Sequence, residues 1–380
     1  MQGARHHAGS LVLIALAFLA ASCVGPEASS SSPGASPSIS RSPSAPPALR
    51  PSDWLRLGQV GVGNLGCNGQ ELAWTTQSIG QAKGNDEIEI ATSESPHPHV
   101  VARASHGGTL IDDVPITGEW LVYLEYQQKG QSDFTNFWYL NAVNWQTGAV
   151  IKLAQATSGI GLSELPWYDA EGGRAVWNQV DTAGNEVLHL YDFEAGQSSR
   201  LNLPASMSPF EPAIFGSQVV FVDNATDPNR AQEDFLSRRG SLRSLDLTSG
   251  RVSTLDQDPT AFSPRVANGD VVWTVVSSGF KRTVALVPVA GGKITVVGGL
   301  DPITPQTNGS IVIWYDFASL HFMAFGVKAH RVVQLQVGSF PDVRSVFALC
   351  GTELYFALPP AVDGGSSTIR AVDLGSLSIS

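Results

Sequence analysis

The chain has 380 residues, 43% of them apolar and only 15% charged, with 34 acidic against 23 basic side chains and a formal net charge of −11. The apolar content suffices for a sizeable core, and 38 Gly with 23 Pro, lacking any collagen period, suits many short strands joined by turns. The acidic balance, with no basic cluster interleaved with aromatics, excludes nucleic acid and anionic lipid surfaces as partners.

Residues 1–10 carry Arg5, His6 and His7 and no acid, and residues 11–20 read LVLIALAFLA. Ten helical residues span about 15 Å, half of a bilayer's hydrocarbon core. The run is therefore predicted as the apolar region of a signal peptide and not as a membrane span. Ala20, Ala21, Ser22 and Cys23 follow. They resemble a bacterial lipobox, with Ala20 where Leu is commoner and Leu19 beside it. The resemblance implies cleavage after Ser22 and a diacylglyceryl group on Cys23; ordinary secretory cleavage is the alternative. Residues 24–50 are almost entirely Ser, Pro, Ala and Gly, and cannot bury enough apolar surface to offset backbone ordering. A disordered tether is expected there, with a random-coil reach of about 28 Å. The organisation that follows is a signal peptide over 1–22, lipidated Cys23 and tether over 23–50, and a folded domain over 51–380.

Within that domain a Gly recurs five residues before an aromatic that ends an apolar run. The instances are Gly69/Trp74, Gly118/Tyr123, Gly172/Trp177, Gly216/Phe221, Gly309/Trp314 and Gly351/Phe356. Asn268/Trp273 is a seventh, with Asn as the next residue most tolerant of positive φ. Successive aromatics lie 41 to 54 residues apart, a period of propeller blades or helical arrays. The runs are short, β-branched and bounded by Gly (Val219-Val220-Phe221, Ile311-Val312-Ile313-Trp314), so they are predicted as strands buried on both faces. A second mark follows: Asn144, Asp192, Asp246 and Pro288 each stand four residues before a Gly, as in a capped hairpin turn. Short outer strands are expected after these turns, including Arg200 to Leu203. The fold class is thus all-β, a seven-bladed β-propeller of four-stranded antiparallel blades.

The stretch from Pro212 to Asp223 resembles a TolB-type propeller repeat, closest to the variant of microbial surface proteins, and Pro264 to Trp273 and Pro305 to Asp316 are similar. The resemblance covers roughly residues 54–380. It departs from TolB itself, which has six blades and a Ser-Pro-Asp-Gly turn not found in this chain. It implies a docking platform, a sensor or an accessory domain of an enzyme, and does not choose among them.

No catalytic elbow, zinc-protease helix, Walker loop or dinucleotide glycine pattern is present, and no cofactor and no metal are expected. His97 and His99 are expected in a turn and His106 across the same blade, so a solvated loop is preferred over a metal site. Asp223, Asn224, Asp227 and Asn229 lack the central Gly and distal Glu of a calcium loop and read as a polar insertion. Asp192, Asp246 and Asp373 read as turn caps. The aromatic anchors read as core. Trp167, Tyr168, Phe210, Phe262 and Phe340 precede the buried strands and either line the channel mouth or pack between blades. Asp112, Asp113, Glu164, Asp301 and Asp342 are placed in loops around that mouth.

The expected role is a cell-envelope binding or scaffolding module for a protein or cell-wall glycan partner, monomeric and held at the extracytoplasmic membrane face by lipid alone. The rivals are an envelope glycan or peptide hydrolase or lyase using mouth carboxylates, and a solute-capture or sensor protein with a closed channel pocket. Partner contact is expected on the face carrying the polar insertions 125–136 and 222–240. Finally, Cys67 and Cys350 occupy nearly equivalent positions before the first and last aromatic anchors. Because end blades of a closed ring are neighbours, they are predicted to form a disulfide; two separate buried thiols are the alternative.

Overall fold

In the computed structural model the β-branched runs form strands and the Gly- or Asn-bearing tetrads between them turn the chain. The structure describes residues 52–57, 62–69, 71–76, 85–92, 97–105, 109–129, 133–155, 165–227, 238–277, 281–299, 301–337, 346–358 and 367–375, without the side chains of 52–53, 128–129, 133–137 and 303. The expected signal peptide, Cys23 and the expected tether therefore lie outside the described residues, as do Glu164, Phe340, Asp342, His106 and Asn229.

Every strand pairing is antiparallel. The first strand, β1 (Ser52–Arg56), joins the last sheet. The first sheet runs β2 (Val62–Asn68), β3 (Glu71–Thr76), β4 (Glu87–Thr92) and β5 (His99–Arg103). The second contains β6 (Thr109–Asp112), β7 (Ile116–Thr117), β8 (Trp120–Lys129), β9 (Asp133–Asn144) and β10 (Val150–Gln155), with β6 and β7 both on β8. The third is β11 (Tyr168–Glu171), β12 (Arg174–Val180), β13 (Glu186–Asp192) and β14 (Gln197–Arg200). The fourth has seven strands: β15 (Pro209–Phe215), β16 (Gln218–Asp223), β17 (Gly240–Asp246), β18 (Val252–Ala267), β19 (Asp270–Val276), β20 (Arg282–Pro288) and β21 (Thr295–Gly298). The fifth is β22 (Pro302–Thr307), β23 (Ile311–Asp316), β24 (His321–Gly326) and β25 (Arg331–Gln334). The sixth is β26 (Phe347–Cys350), β27 (Glu353–Leu358) and β28 (Thr368–Asp373), with β1 outermost.

Three expectations are corrected. The outer strand of the third sheet is Gln197–Arg200 and not Arg200 to Leu203, because His189 to Asp192 pair with the earlier residues. Residues 125–129 and 133–136 are not a polar loop: they belong to β8 and β9, which pair Gln128 with Phe134 and Lys129 with Asp133, and residues 130–132 lie outside the described residues. His99 opens a strand, β5, instead of lying in a turn.

The seven aromatic anchors are core. Trp74, Phe221, Trp273 and Phe356 have no exposed surface, and Trp177, Trp314 and Tyr123 keep at most 3%. Each packs between neighbouring layers, as with Trp74 against Tyr355 and Cys350, or Trp314 against Val272 and Val284. The turns behave as their residues require. Gly216 has φ +56°, and Asn268, the exception in the series, adopts the same left-handed region at φ +48°. Asp192 accepts a hydrogen bond from the Ala195 N–H, Asp246 from Thr248 and Ser249, and Asp373 from Gly375. These acids are caps.

The first and last sheets meet. Cys67 on β2 and Cys350 on β26 form a disulfide with their Cα atoms 6.1 Å apart, across a sequence separation of 283. Both cysteines end innermost strands, as the spacing of the anchors predicts.

Candidate functional site

The first strand of each repeat carries the residues of interest. Four of these strands break register in the same place: β2 between Val62 and Leu65, β15 between Phe210 and Ala213, β18 between Phe262 and Arg265, and β22 between Ile303 and Gln306. In the second sheet the break is complete and separates β6 from β7. An extra residue in a strand leaves one backbone position unpaired and re-aims its side chain. Asp113, Glu211, Ser263 and Thr304 occupy these breaks, all with φ between +43° and +49°. Pro follows Glu211, Ser263 and Thr304 directly, removing a ladder donor where the strand must bulge.

Polar side chains on these first strands reach the first strands beside them. Asn64 donates to the Asp112 carboxylate. The Tyr168 hydroxyl accepts from the Leu124 N–H at 3.0 Å and donates to the Asp112 carbonyl. Asp169 accepts from the Ile214 N–H at 2.9 Å, and Glu211 from the Ser263 N–H at 2.6 Å. Gln306 brackets β26, accepting from the Leu349 N–H and donating to the Phe347 carbonyl. A chain of links thus runs from β2 through β6, β11 and β15 to β18. The packing is close: a Cβ on Gly66 would stand 1.9 Å from the Val114 carbonyl oxygen.

Four carboxylates and one guanidinium share this region. Burial pushes Glu211 up to about 7, against the opposing effects of its hydrogen bonds from Ser263 and the charge of Arg265. Asp112 is pushed up to about 6 by burial and then by the Asp113 charge. Asp112 still carries exposed surface: solvent reaches it, but protein crowds it on nearly every side. Burial also raises Asp113 and Asp169, and for both the Arg265 charge is the foremost opposing influence. Arg265 donates to the Pro264 carbonyl at 2.9 Å and lies beyond ion-pair distance of all four acids. Tyr126 and Tyr168 are raised by burial and by the acids beside them. The arrangement offers two carboxyl groups pushed up to about 6 and about 7, Asp112 and Glu211, two more raised by burial, and a guanidinium whose one side-chain hydrogen bond among the described residues goes to the Pro264 carbonyl. Among the described residues no three His, Cys, Asp or Glu side chains are placed to hold a metal ion.

The expected site residues are distributed as follows. Asp112 and Asp113 belong to this group, but on the first strand's break and not in a mouth loop. Trp167 precedes β11; its backbone N–H donates to the Asn178 side-chain oxygen, and its ring meets Phe210 edge-on at 5.6 Å. Phe210 is fully buried among Val220, Leu242 and Trp273, so it is core and not ligand face. Tyr168 is buried as well. Phe262 is half-buried on β18 opposite Thr274. Asp301 stands apart, paired with Arg282 at 3.4 Å. The Asp223 to Asp227 insertion is closed by its own arginines, Arg243 on Asp223 and Arg239 on Asp227, with Asp223 capping the short 3-10 helix Asn224–Thr226.

Asn64, Asp169, Glu211 and Arg265 escaped the sequence reading, although a signal for them exists. Asn64, Asp113, Trp167, Glu211, Ser263 and Thr304 each stand ten positions before an aromatic anchor, and Asp169, Arg265 and Gln306 each stand eight before one. Positions two apart on a strand share a face, so the anchors index this site.

No protein-family model matches the sequence, and no curated protein is similar to it. Solved structures are similar in fold. The β-propeller domain of the Trilobed protease from Pyrococcus furiosus is 8% identical, with a TM-score of 0.55 over 83% of this chain and 95% of that one. A prolyl endopeptidase is 12% identical, with a TM-score of 0.55 over 85% of this chain, which spans only 48% of that one. TolB from Acinetobacter baumannii is 14% identical, with a TM-score of 0.47 over 71% of this chain and 64% of that one. At these identities the likeness shows the fold alone: the described domain is a β-propeller.

Proposed function

We propose that the protein is an exported, lipid-anchored, seven-bladed propeller that binds an extracytoplasmic protein or cell-wall glycan at the group formed by Asp112, Asp113, Asp169, Glu211 and Arg265. The observation that carries the binding role is this group itself: polar side chains eight to eleven positions before the anchors, on neighbouring first strands, on a scaffold that holds them by backbone links. The blade count follows if β18 serves two blades, its early residues pairing with β17 and its later ones with β19. Seven apolar clusters between successive layers agree with that count.

The lipid anchor rests on the apolar run and small residues before Cys23. Feeding cells a fatty-acid analogue tests it: Cys23→Ala should abolish labelling, and label retained by the variant would refute the anchor. For binding, the full-length protein in detergent should retain material from either a cell-wall glycan fraction or an envelope protein fraction. Asp113→Asn with Asp169→Asn should lose that retention while keeping the thermal midpoint. Equal retention by the double variant would place the site elsewhere.

A second reading, a glycan or peptide hydrolase or lyase, is favoured by one feature: Glu211 is pushed up to about 7, where a carboxyl group can act as general acid. Bond cleavage in those fractions that is lost in Glu211→Gln would select it over binding alone.

A further inference from the structure

One register of the repeat changes character at a single place. Opposite the residue that precedes each aromatic anchor stand Ile90, Ala142, Leu190, Leu286, Ala324 and Ala371. In the fourth repeat the same place, opposite Val220, holds Ser244. Ser244 is only 4% exposed, and among the described residues its hydroxyl has no hydrogen-bond partner. Burying a hydroxyl without a partner costs free energy, a cost that the apolar residues of the other six repeats avoid.

The neighbours of Ser244 on its face of the sheet are polar too. Side chains two apart on a strand share a face, as do those directly opposite across a pair. Gln218 pairs with Asp246, and Ser244 with Ser253. Farther along the same face, Val220, Val222, Leu242 and Leu255 pack against Trp273 and Val287 of the fifth repeat. The layer between these two repeats is therefore apolar along most of its depth and turns polar beside the Gly216 and Gly250 turns. There it opens into a cavity of about 380 Å3, lined by Gln218, Ser244, Asp246, Arg251 and Ser253. Val289 and Ala290, which follow β20, form its apolar wall, and the Val289 N–H donates to the Gly269 carbonyl at 2.7 Å. The volume falls within the range of small-molecule sites.

The polar groups of the cavity are balanced in charge. The Gln218 amide donates to the Asp246 carboxylate at 2.8 Å. The Ser249 N–H, together with that amide, holds the Asp246 carboxyl group below its usual range, so it remains an acceptor. Arg251 is exposed, and among the described residues its guanidinium has neither a hydrogen bond nor an ion pair. One carboxylate and one guanidinium, with the Ser244 and Ser253 hydroxyls beside them, disfavour a charged ligand of either sign. They suit a neutral ligand rich in hydroxyl groups, whose C–H face would rest on the apolar wall.

We infer that this cavity between the fourth and fifth repeats is a saccharide site, taking a neutral glycan whose hydroxyls bond Ser244, Asp246 and Arg251 and whose ring packs on Val289. Gln218 opens β16, so the site lies at the opposite end of that strand from the polar insertion that begins at residue 222. It requires neither the lipid anchor nor the group around Glu211, and its failure would leave both standing.

Ligand-observed NMR on the full-length protein, in a detergent without a sugar headgroup, tests it. The probes are neutral trimers of glucose, galactose, mannose and N-acetylglucosamine, a cationic glucosamine trimer and an anionic galacturonic acid trimer. At least one neutral trimer should bind, and both charged trimers should bind more weakly by about tenfold or more. Ser244→Ala installs the residue already present at Ala142 and Ala324. It should keep the unfolding midpoint and weaken that binding about tenfold, the equivalent of one hydrogen bond. Ser244→Leu should fill the cavity and abolish binding, and Arg251→Gln should weaken it. Asp113→Asn with Asp169→Asn should leave it unchanged. Absence of binding by every neutral trimer would overturn the inference, as would a charged trimer that binds as tightly as the best neutral one. So would wild-type affinity in Ser244→Ala, or loss of binding in the Asp113, Asp169 double variant, which would assign the saccharide to the group around Glu211 instead.

Discussion

Glu211 concentrates the chemistry of the site in one residue. It is 2% exposed, sits in the left-handed region at φ +46°, and bonds the next strand through the Ser263 N–H. Its carboxyl group rises from 4.5 to about 7 and that of Asp112 from 3.8 to about 6. Both folded-state values lie above the unfolded ones, so the native state holds protons that the unfolded chain releases. Stability from these groups is greatest below the unfolded values and declines as the pH rises from about 4 to about 7. Urea unfolding at pH 5 and pH 8 should show that decline, and Glu211→Gln should flatten it. Gln still offers an oxygen to Ser263 and carries no charge, so the variant should exceed wild type at pH 8 by at most about 3 kcal/mol. A wild type whose stability rises across this range would contradict the assignment. Phe210 belongs to the opposite class. Its burial among Val220 and Trp273 predicts a loss of about 3–5 kcal/mol for Phe210→Ala, read by the same unfolding curves.

Among the elements, the turn and the bulge do the positioning. The Gly that recurs before each aromatic anchor is replaced once by Asn268, which bears the left-handed conformation and donates to the Asn308 carbonyl at 2.7 Å. Asn268→Ala should cost about 2 kcal/mol, combining left-handed strain with a lost hydrogen bond. Asn268→Gly should cost less, because it relieves the strain. Equal losses in chemical denaturation would mean that only the hydrogen bond matters. The bulges were not read in the sequence, although the Pro residues after Glu211, Ser263 and Thr304 mark three of them. An X-Pro pair before an apolar strand reads as a loop entering the strand. Only the paired neighbour shows that the strand has already begun and is interrupted.

For the whole molecule, the disulfide is the feature that local structure cannot supply. Closing a loop of 283 residues restricts the unfolded chain by roughly 5 kcal/mol in the chain-entropy model. Cys67→Ser with Cys350→Ser should therefore lose up to that amount in guanidinium unfolding, and a loss below about 1 kcal/mol would assign closure almost entirely to strand packing. The first and last sheets meet because the apolar clusters lie between layers and not within them. Each sheet buries its faces only against its neighbours, so the last must find the first, as Tyr355 finds Trp74.

The sequence alone determined the strand class, the repeat, the buried anchors, the capped turns and the cysteine pair. All of these are written locally, in β-branched runs, in Gly or Asn at left-handed positions, and in one recurring interval. Tertiary structure alone decided that one strand, β18, pairs with β17 through its early residues and with β19 through its later ones, that β1 completes the last sheet, and that Asp112, Asp113, Asp169, Glu211 and Arg265 come together. Register breaks and edge pairings depend on what a strand meets across the sheet. Burial of the acids depends on how closely successive first strands approach, and neither quantity is carried by any residue's own neighbours in the chain.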